Sequence, residues 1–98
     1  MKHIIEKLKT EETVTFSPRG NSMTPKIKSG QKVTIKRLTK DEKLKLSKND
    51  IVFCKVKNNI YLHLISAIKG EQIQISNNHG YVNGWTHLDN IYAILINK

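Results

Sequence analysis

Short runs rich in β-branched residues, separated by polar and turn-forming residues, follow one another through most of this 98-residue chain. The clearest of them is Gln72-Ile73-Gln74-Ile75, whose strict alternation indicates a strand with one buried face. On the same grounds, strands are predicted at 13–17, 32–38, 51–56, 60–68, 72–75 and 89–96. Because helical periodicity is confined to short stretches, the sequence predicts a mostly-β fold with short helices.

The stretches outside these strands are short. Residues 2–9 carry apolar side chains on one helical face and predict two turns of helix. The polar stretch 39–50 is expected to be a connector with one helical turn, and 77–85, rich in Gly and Asn, is expected to be a loop. A chain of this length forms one domain. We therefore expect an N-terminal helical segment at 1–12 and a β core at 13–98.

Several classes of protein are not favoured by the sequence. No apolar run approaches the roughly 20 residues that cross a bilayer, and residues 1–9 are too charged for the core of a signal peptide. Cys54 is the only cysteine, so no intramolecular disulfide can form, and we expect a cytoplasmic protein with Cys54 buried. The spacing of His63, His79 and His87 matches no standard ligand set. Neither a metal nor a cofactor is expected.

The chain has a formal charge of +9, and much of it is concentrated in one part of the sequence. Residues 26–57 hold eleven Lys or Arg against three acids, which gives this stretch +8. We call its first nine basic residues the basic patch: Lys26, Lys28, Lys32, Lys36, Arg37, Lys40, Lys43, Lys45 and Lys48. The patch is either a solvated lysine surface or a site for an anionic partner, meaning nucleic acid or an acidic protein. Because it contains a single arginine, nucleic-acid binding would be nonspecific.

The segment Gly20-Asn21-Ser22-Met23-Thr24-Pro25 carries the strongest chemical signal. Gly20 and Pro25 constrain the backbone, and such a segment can hold the Ser22 hydroxyl at a fixed position. The N–H groups of Asn21 and Ser22 would then form an oxyanion hole. Met23 would pack below the serine, form a pocket wall or belong to the core. The alternative is a plain turn, since Gly, Asn, Ser and Pro are ordinary turn residues.

A resemblance strengthens the catalytic interpretation. The block Gly-x-Ser-Met-x-Pro at 20–25, followed by Ser-Gly-Gln-Lys-Val at 29–33, resembles the nucleophile segment of LexA-like and signal-peptidase-like serine peptidases. Lys-Asn-Asp-Ile-Val-Phe at 48–53 is similar to a later strand of that superfamily. The resemblance implies the coiled β fold of the LexA C-terminal domain and of signal peptidases. It also implies a likeness to the small stand-alone members found in phage and mobile-element genomes.

His63 is the second candidate catalytic residue. It is a lone histidine in an apolar strand, and taken alone such a residue is more often a core or edge histidine satisfied by a backbone carbonyl than a catalytic base. The resemblance places it where one branch of the superfamily carries a histidine general base. A neutral imidazole within hydrogen-bond reach of Ser22 can take the hydroxyl proton during attack.

A third residue is needed to orient the imidazole. Histidine-type relatives carry an aspartate at the position that Ser76 occupies here, so the sequence lacks the usual partner. Asp89, ahead of the last strand, resembles another acidic position of these enzymes, and the resemblance makes it the best remaining orienter. It could equally cap a turn or helix.

Two functions follow from these residues. The first is a soluble serine endopeptidase that uses a Ser22–His63 dyad to cleave a protein or peptide substrate in trans. Self-cleavage is not expected, because the self-cleaving members of the family that it resembles carry an Ala-Gly or Cys-Gly bond ahead of the serine, and no such bond precedes Ser22. The second is a weakly active or inactive peptidase fold that binds nucleic acid or an acidic protein through the basic patch. In either case, an exposed sheet edge would allow two copies to pair as a homodimer.

Overall fold

One antiparallel sheet of seven strands organises the protein, and the computed structural model describes residues 1–97. The helices are α1 (Lys2–Thr10) and α2 (Lys40–Lys43), and a 3-10 turn covers Leu88–Asn90. The strands are β1 (Thr13–Phe16), β2 (Val33–Arg37), β3 (Ile51–Val56), β4 (Asn59–Lys69), β5 (Gln72–Ser76), β6 (Val82–His87) and β7 (Ile91–Asn97). They lie in the order β1-β2-β7-β3-β4-β5-β6. The prediction of a mostly-β fold with short helices is therefore confirmed.

The sheet packs apolar side chains on both faces. On one face, Ile4 and Leu8 of α1 pack with Phe53 of β3 and with residues from the β1–β2 connection. On the other face, Val52 and Cys54 of β3 join a second cluster. Because successive strand residues point to opposite faces, β3 contributes to both cores.

Strand β6 corrects the prediction of a loop over 77–85. Gly and Asn favour turns locally, but β6 pairs along β5, with Thr86 opposite Ile73 and Gly84 opposite Ile75. Gly84 is required there: its φ is +140°, and a Cβ would lie 3.3 Å from Val56 Cγ1. Pairing with β5 and close packing on β3 therefore override the local turn preference.

The sheet curls so that its β6 edge returns over β3. Thr86 Oγ1 donates a hydrogen bond to the carbonyl of Lys55 at 2.8 Å, which fastens β6 to β3 across the curl. The free edges of the sheet are β1 and β6. The homodimer stays a prediction, and these are the edges that it would use.

The connection between β1 and β2, residues 17–32, is the Ser22 segment. Gly30 N–H donates to the Pro18 carbonyl at 2.8 Å, and Gly20 N–H donates to Ser29 Oγ at 3.0 Å. Met23 and Ile27 are buried in the same apolar cluster as Ile4 and Leu8 of α1. Hydrogen bonds therefore join the two ends of the segment, and its middle is buried in the core. Neither of the two helices described in residues 1–97 is long and apolar enough to span a membrane.

Candidate active site

The Ser22 hydroxyl and the His63 imidazole meet across the fold. Ser22 Oγ lies 3.0 Å from His63 Nε2, although the two residues are 41 positions apart in the chain. His63 belongs to β4 and is 7% exposed, while Ser22 lies in an exposed turn. The contact is within the hydrogen-bond range that a serine and its general base require.

Asn83 of β6 holds the other side of the imidazole. Its Oδ1 lies 2.7 Å from His63 Nδ1, so Nδ1–H donates to the amide oxygen. In the neutral ring this places the free lone pair on Nε2, the atom that faces Ser22. Tyr61 stacks on the imidazole with ring centroids 4.7 Å apart. The ring is therefore fixed in orientation and in tautomer.

The surroundings keep His63 neutral. Burial lowers the pKa of His63 below its ordinary value of 6.5, because a charged imidazolium is poorly solvated there. The hydrogen bond to Asn83 raises the pKa by a smaller amount. A neutral imidazole at pH 7 is the form that can accept a proton from Ser22.

Asp89 does not occupy the orienting position, which corrects the prediction. Its side chain is 84% exposed, and Oδ2 lies 3.4 Å from Nδ1 of His87 rather than beside His63. Asp89 belongs to the 3-10 turn after β6, where its N–H donates to His87 Nδ1. Asn83 fills the role instead. Sequence reasoning missed Asn83 because it lies in the stretch expected to be a loop.

Ser76, at the position where the resemblance implied an aspartate, contacts a neighbouring strand and not His63. It is buried, and its Oγ lies 2.6 Å from Ser66 Oγ. The hydroxyl is therefore engaged between β4 and β5.

A loop at 77–81 docks on the turn that carries Ser22, a contact that the sequence did not reveal. Asn78 N–H donates to the Ser22 carbonyl at 2.8 Å, and Asn78 Nδ2 donates to the Thr24 carbonyl at 2.8 Å. His79 Nε2 donates to the Asn21 carbonyl, also at 2.8 Å. Three carbonyls of the turn therefore face this loop.

The same contacts orient the N–H groups of the turn. In a trans peptide the N–H points away from the C=O, so the N–H groups of Ser22 and Met23 face away from the 77–81 loop. Within residues 1–97, neither of them donates to another protein group. Asn21 N–H, the other predicted donor, is likewise unpaired there. These donors are available to a bound oxygen.

A cavity of about 280 Å³ adjoins the two catalytic candidates. Ser22 and His63 lie in its wall together with Gly20 and Arg19. Its apolar lining includes Met23, Ile27, Ile60 and Leu62. Met23 is thus both a pocket wall and a core residue. The peptide bond before Pro25 is cis.

One lysine of the basic patch, Lys36, is ion-paired. Lys36 Nζ lies 3.0 Å from Glu42 Oε2 and 3.9 Å from Glu12 Oε1. Arg37 Nη1 donates to the carbonyl of Leu8 at 2.9 Å. No other patch side chain forms an ion pair within residues 1–97. Most of them therefore present free positive charge to solvent.

No three His, Cys, Asp or Glu side chains in residues 1–97 are grouped so that they could hold a metal ion. Comparison with known proteins finds no matching family model, no similar characterised protein and no similar solved structure.

Proposed function

We propose that this protein is a serine peptidase in which Ser22 is the nucleophile and His63 the general base. The observation that carries the proposal is the 3.0 Å contact between Ser22 Oγ and His63 Nε2, with Nδ1 held by Asn83. The likeness of the 20–25 block to LexA-like and signal-peptidase-like enzymes supports the same chemistry. The substrate is a protein or peptide cleaved in trans.

The reaction uses these groups in two stages. Ser22 Oγ attacks the scissile carbonyl carbon while His63 Nε2 takes the hydroxyl proton. The carbonyl oxygen becomes an oxyanion, and the N–H groups of Ser22 and Met23 donate to it. His63 then passes its proton to the leaving amine as the C–N bond breaks, which leaves an acyl-enzyme. Water, deprotonated by His63, attacks this ester. As the ester C–O bond breaks, His63 returns its proton to Ser22 Oγ, which releases the acid and regenerates Ser22 and neutral His63.

The proposal is tested by labelling with a serine-reactive fluorophosphonate. Wild-type protein is expected to label, and Ser22→Ala and His63→Ala are each expected to abolish labelling. Ser17→Ala, which removes an exposed hydroxyl from the same segment, is the matched control and should label normally. A folded wild-type protein that neither labels nor cuts any member of a peptide library would contradict the proposal.

A binding module that uses the basic patch is the second candidate. It is favoured by the patch lysines that have no carboxylate partner in residues 1–97. Its affinity for an anionic partner would fall steeply with salt, and Ser22→Ala would bind as the wild type does. Fluorophosphonate labelling distinguishes this function from the first, since binding requires no reactive serine.

A further inference from the structure

The walls of the candidate active site come from parts of the chain that contain no acid. Ser22 belongs to a stretch, 13–40, with no Asp or Glu, and His63 belongs to another, 51–70. The stretch that supplies Asn83, residues 72–88, also has none. No carboxylate lines the cavity beside Ser22. All eight acidic residues lie in the described part of the chain, so the cavity wall is neutral or positive throughout.

Arg19 gives this cavity a specific cationic group. It lines the cavity, is exposed, and forms neither a hydrogen bond nor an ion pair with another residue in 1–97. Its Nη1 would lie 3.8 Å from a Cβ built on Gly30, so the guanidinium rests over the Ser22 segment near Gly30. Lys26, Lys28 and Lys32 of the same segment are also exposed. None of the three forms an ion pair with a described residue.

We infer that the preferred substrate of this site is an acidic peptide, with an apolar side chain in the cavity and a carboxylate beside it on Arg19. This inference rests on the proposed function, because it names the substrate of the Ser22–His63 site. A guanidinium binds a carboxylate through two parallel N–H···O bonds, which fixes the peptide's position. The lysines of the segment attract the remaining negative charge and raise the rate of encounter.

The cavity favours a peptide over a nucleic acid. Its lining is mostly apolar, and its size suits one side chain. Proteins that bind single-stranded nucleic acids combine a positively charged groove with exposed aromatic rings on which successive bases stack. The aromatic ring in this cavity wall, that of Tyr61, is already stacked on His63.

Binding is measured with Ser22→Ala protein and three fluorescent peptides that share one apolar residue and differ in their flanks: Glu, Gln or Lys. Fluorescence anisotropy should give the tightest binding for the Glu peptide and the weakest for the Lys peptide. Raising NaCl from about 50 mM to about 300 mM should markedly weaken the binding of the Glu peptide alone. When Arg19→Ala is introduced into the Ser22→Ala protein, the affinity for the Glu peptide should fall about two- to fivefold, and the affinity for the Gln peptide should not change.

Lys69→Ala is the matched control, because it removes one positive charge at the far end of β4. It should leave all three affinities unchanged. Equal affinity for the Glu and Gln peptides would overturn the inference, and so would an equal effect of Lys69→Ala and Arg19→Ala. Displacement of the Glu peptide by a single-stranded oligonucleotide at lower concentration than by unlabelled Glu peptide would also overturn it.

Fluorophosphonate labelling of wild-type protein separates this inference from the proposed function. Labelling of Ser22 without any preference for the Glu peptide overturns the substrate class and leaves the hydrolase intact. A preference for the Glu peptide that requires Arg19, in a protein that never labels, supports the acidic ligand and contradicts hydrolysis.

Discussion

At the scale of single residues, the site depends on what surrounds one imidazole. His63 carries an acceptor, Asn83 Oδ1, on one nitrogen and the Ser22 hydroxyl on the other. The Asn83 amide orients the imidazole as a carboxylate would, but it adds no negative charge. The lowered pKa of His63 follows from burial without a compensating anion.

The pH dependence of catalysis tests this arrangement. Because only neutral His63 accepts a proton, kcat/KM should rise with pH along an acid limb whose midpoint lies below 6.5, the ordinary pKa of histidine. Asn83→Asp puts a negative charge beside Nδ1, which raises the pKa of His63 and should move the limb to higher pH. The measurement is the pH profile of peptide hydrolysis. An identical limb in both proteins would contradict the contact.

Removing the orienting amide should slow the reaction without abolishing it. Asn83→Ala leaves Nδ1 unpaired and lets the ring turn, so kcat/KM should fall about 10- to 100-fold. Asn83→Gln, which keeps the amide on a longer stem, is the partial-rescue variant. An Asn83→Ala protein as active as the wild type would show that another group holds His63.

The cysteine makes a prediction independent of catalysis. Burial raises the pKa of Cys54 to about 12, so the thiolate is scarce at neutral pH. The folded protein should resist a thiol-reactive maleimide at pH 7, and denaturant should make Cys54 react quickly. Fast labelling of the native protein would show that Cys54 is accessible to the reagent, which would contradict its burial in β3.

At the scale of elements, β6 decides whether the site is complete. It carries Asn83, and the loop before it holds the turn of Ser22 through Asn78 and His79. β6 is an edge strand of the sheet, so its position depends on pairing with β5 and on packing over β3.

Gly84→Ala should disturb both stability and activity. The new methyl carbon would lie 3.2 Å from Lys57 Cε and 3.3 Å from Val56 Cγ1, which is tighter than ordinary van der Waals contact, and the φ of +140° at this position suits glycine. We expect the free energy of unfolding to fall by about 1–3 kcal/mol, measured by urea denaturation, with a loss of kcat/KM as Asn83 shifts. Gly70→Ala is the control: its φ is +60°, but no atom lies within 4 Å of the added Cβ. It should be less destabilising and leave activity unchanged.

At the scale of the whole molecule, the lowered pKa of His63 links folding to pH. In the unfolded chain His63 has its ordinary pKa of 6.5, and in the native state its pKa is lower, so the unfolded chain binds the proton more readily. The free energy of unfolding should therefore decline as the pH falls below about 6.5. The decline should level off below the native pKa. Glu42, whose pKa is lowered from 4.5, contributes a decline of the same sign at lower pH.

The linkage is measured from urea unfolding curves between about pH 5 and pH 8. His63→Gln should remove the decline near pH 6, whereas His3→Gln, at an exposed position, should keep it. A wild-type curve that is flat across this window would contradict the buried, neutral state of His63.

By itself, the sequence predicted a mostly-β fold and the boundaries of β3, and together with the family resemblance it singled out the two residues of the proposed dyad. Local alternation of apolar residues encodes a strand, and the spacing around Ser22 is a local pattern. It did not determine β6, Asn83 or the contact of 77–81 with the Ser22 turn. Those depend on the curl of the sheet, which brings distant residues together through pairing and packing that no local pattern records. Asp89 illustrates this difference. Its position and the resemblance suggested that it contacts His63, but the path of the chain after β6 brings its carboxylate to His87.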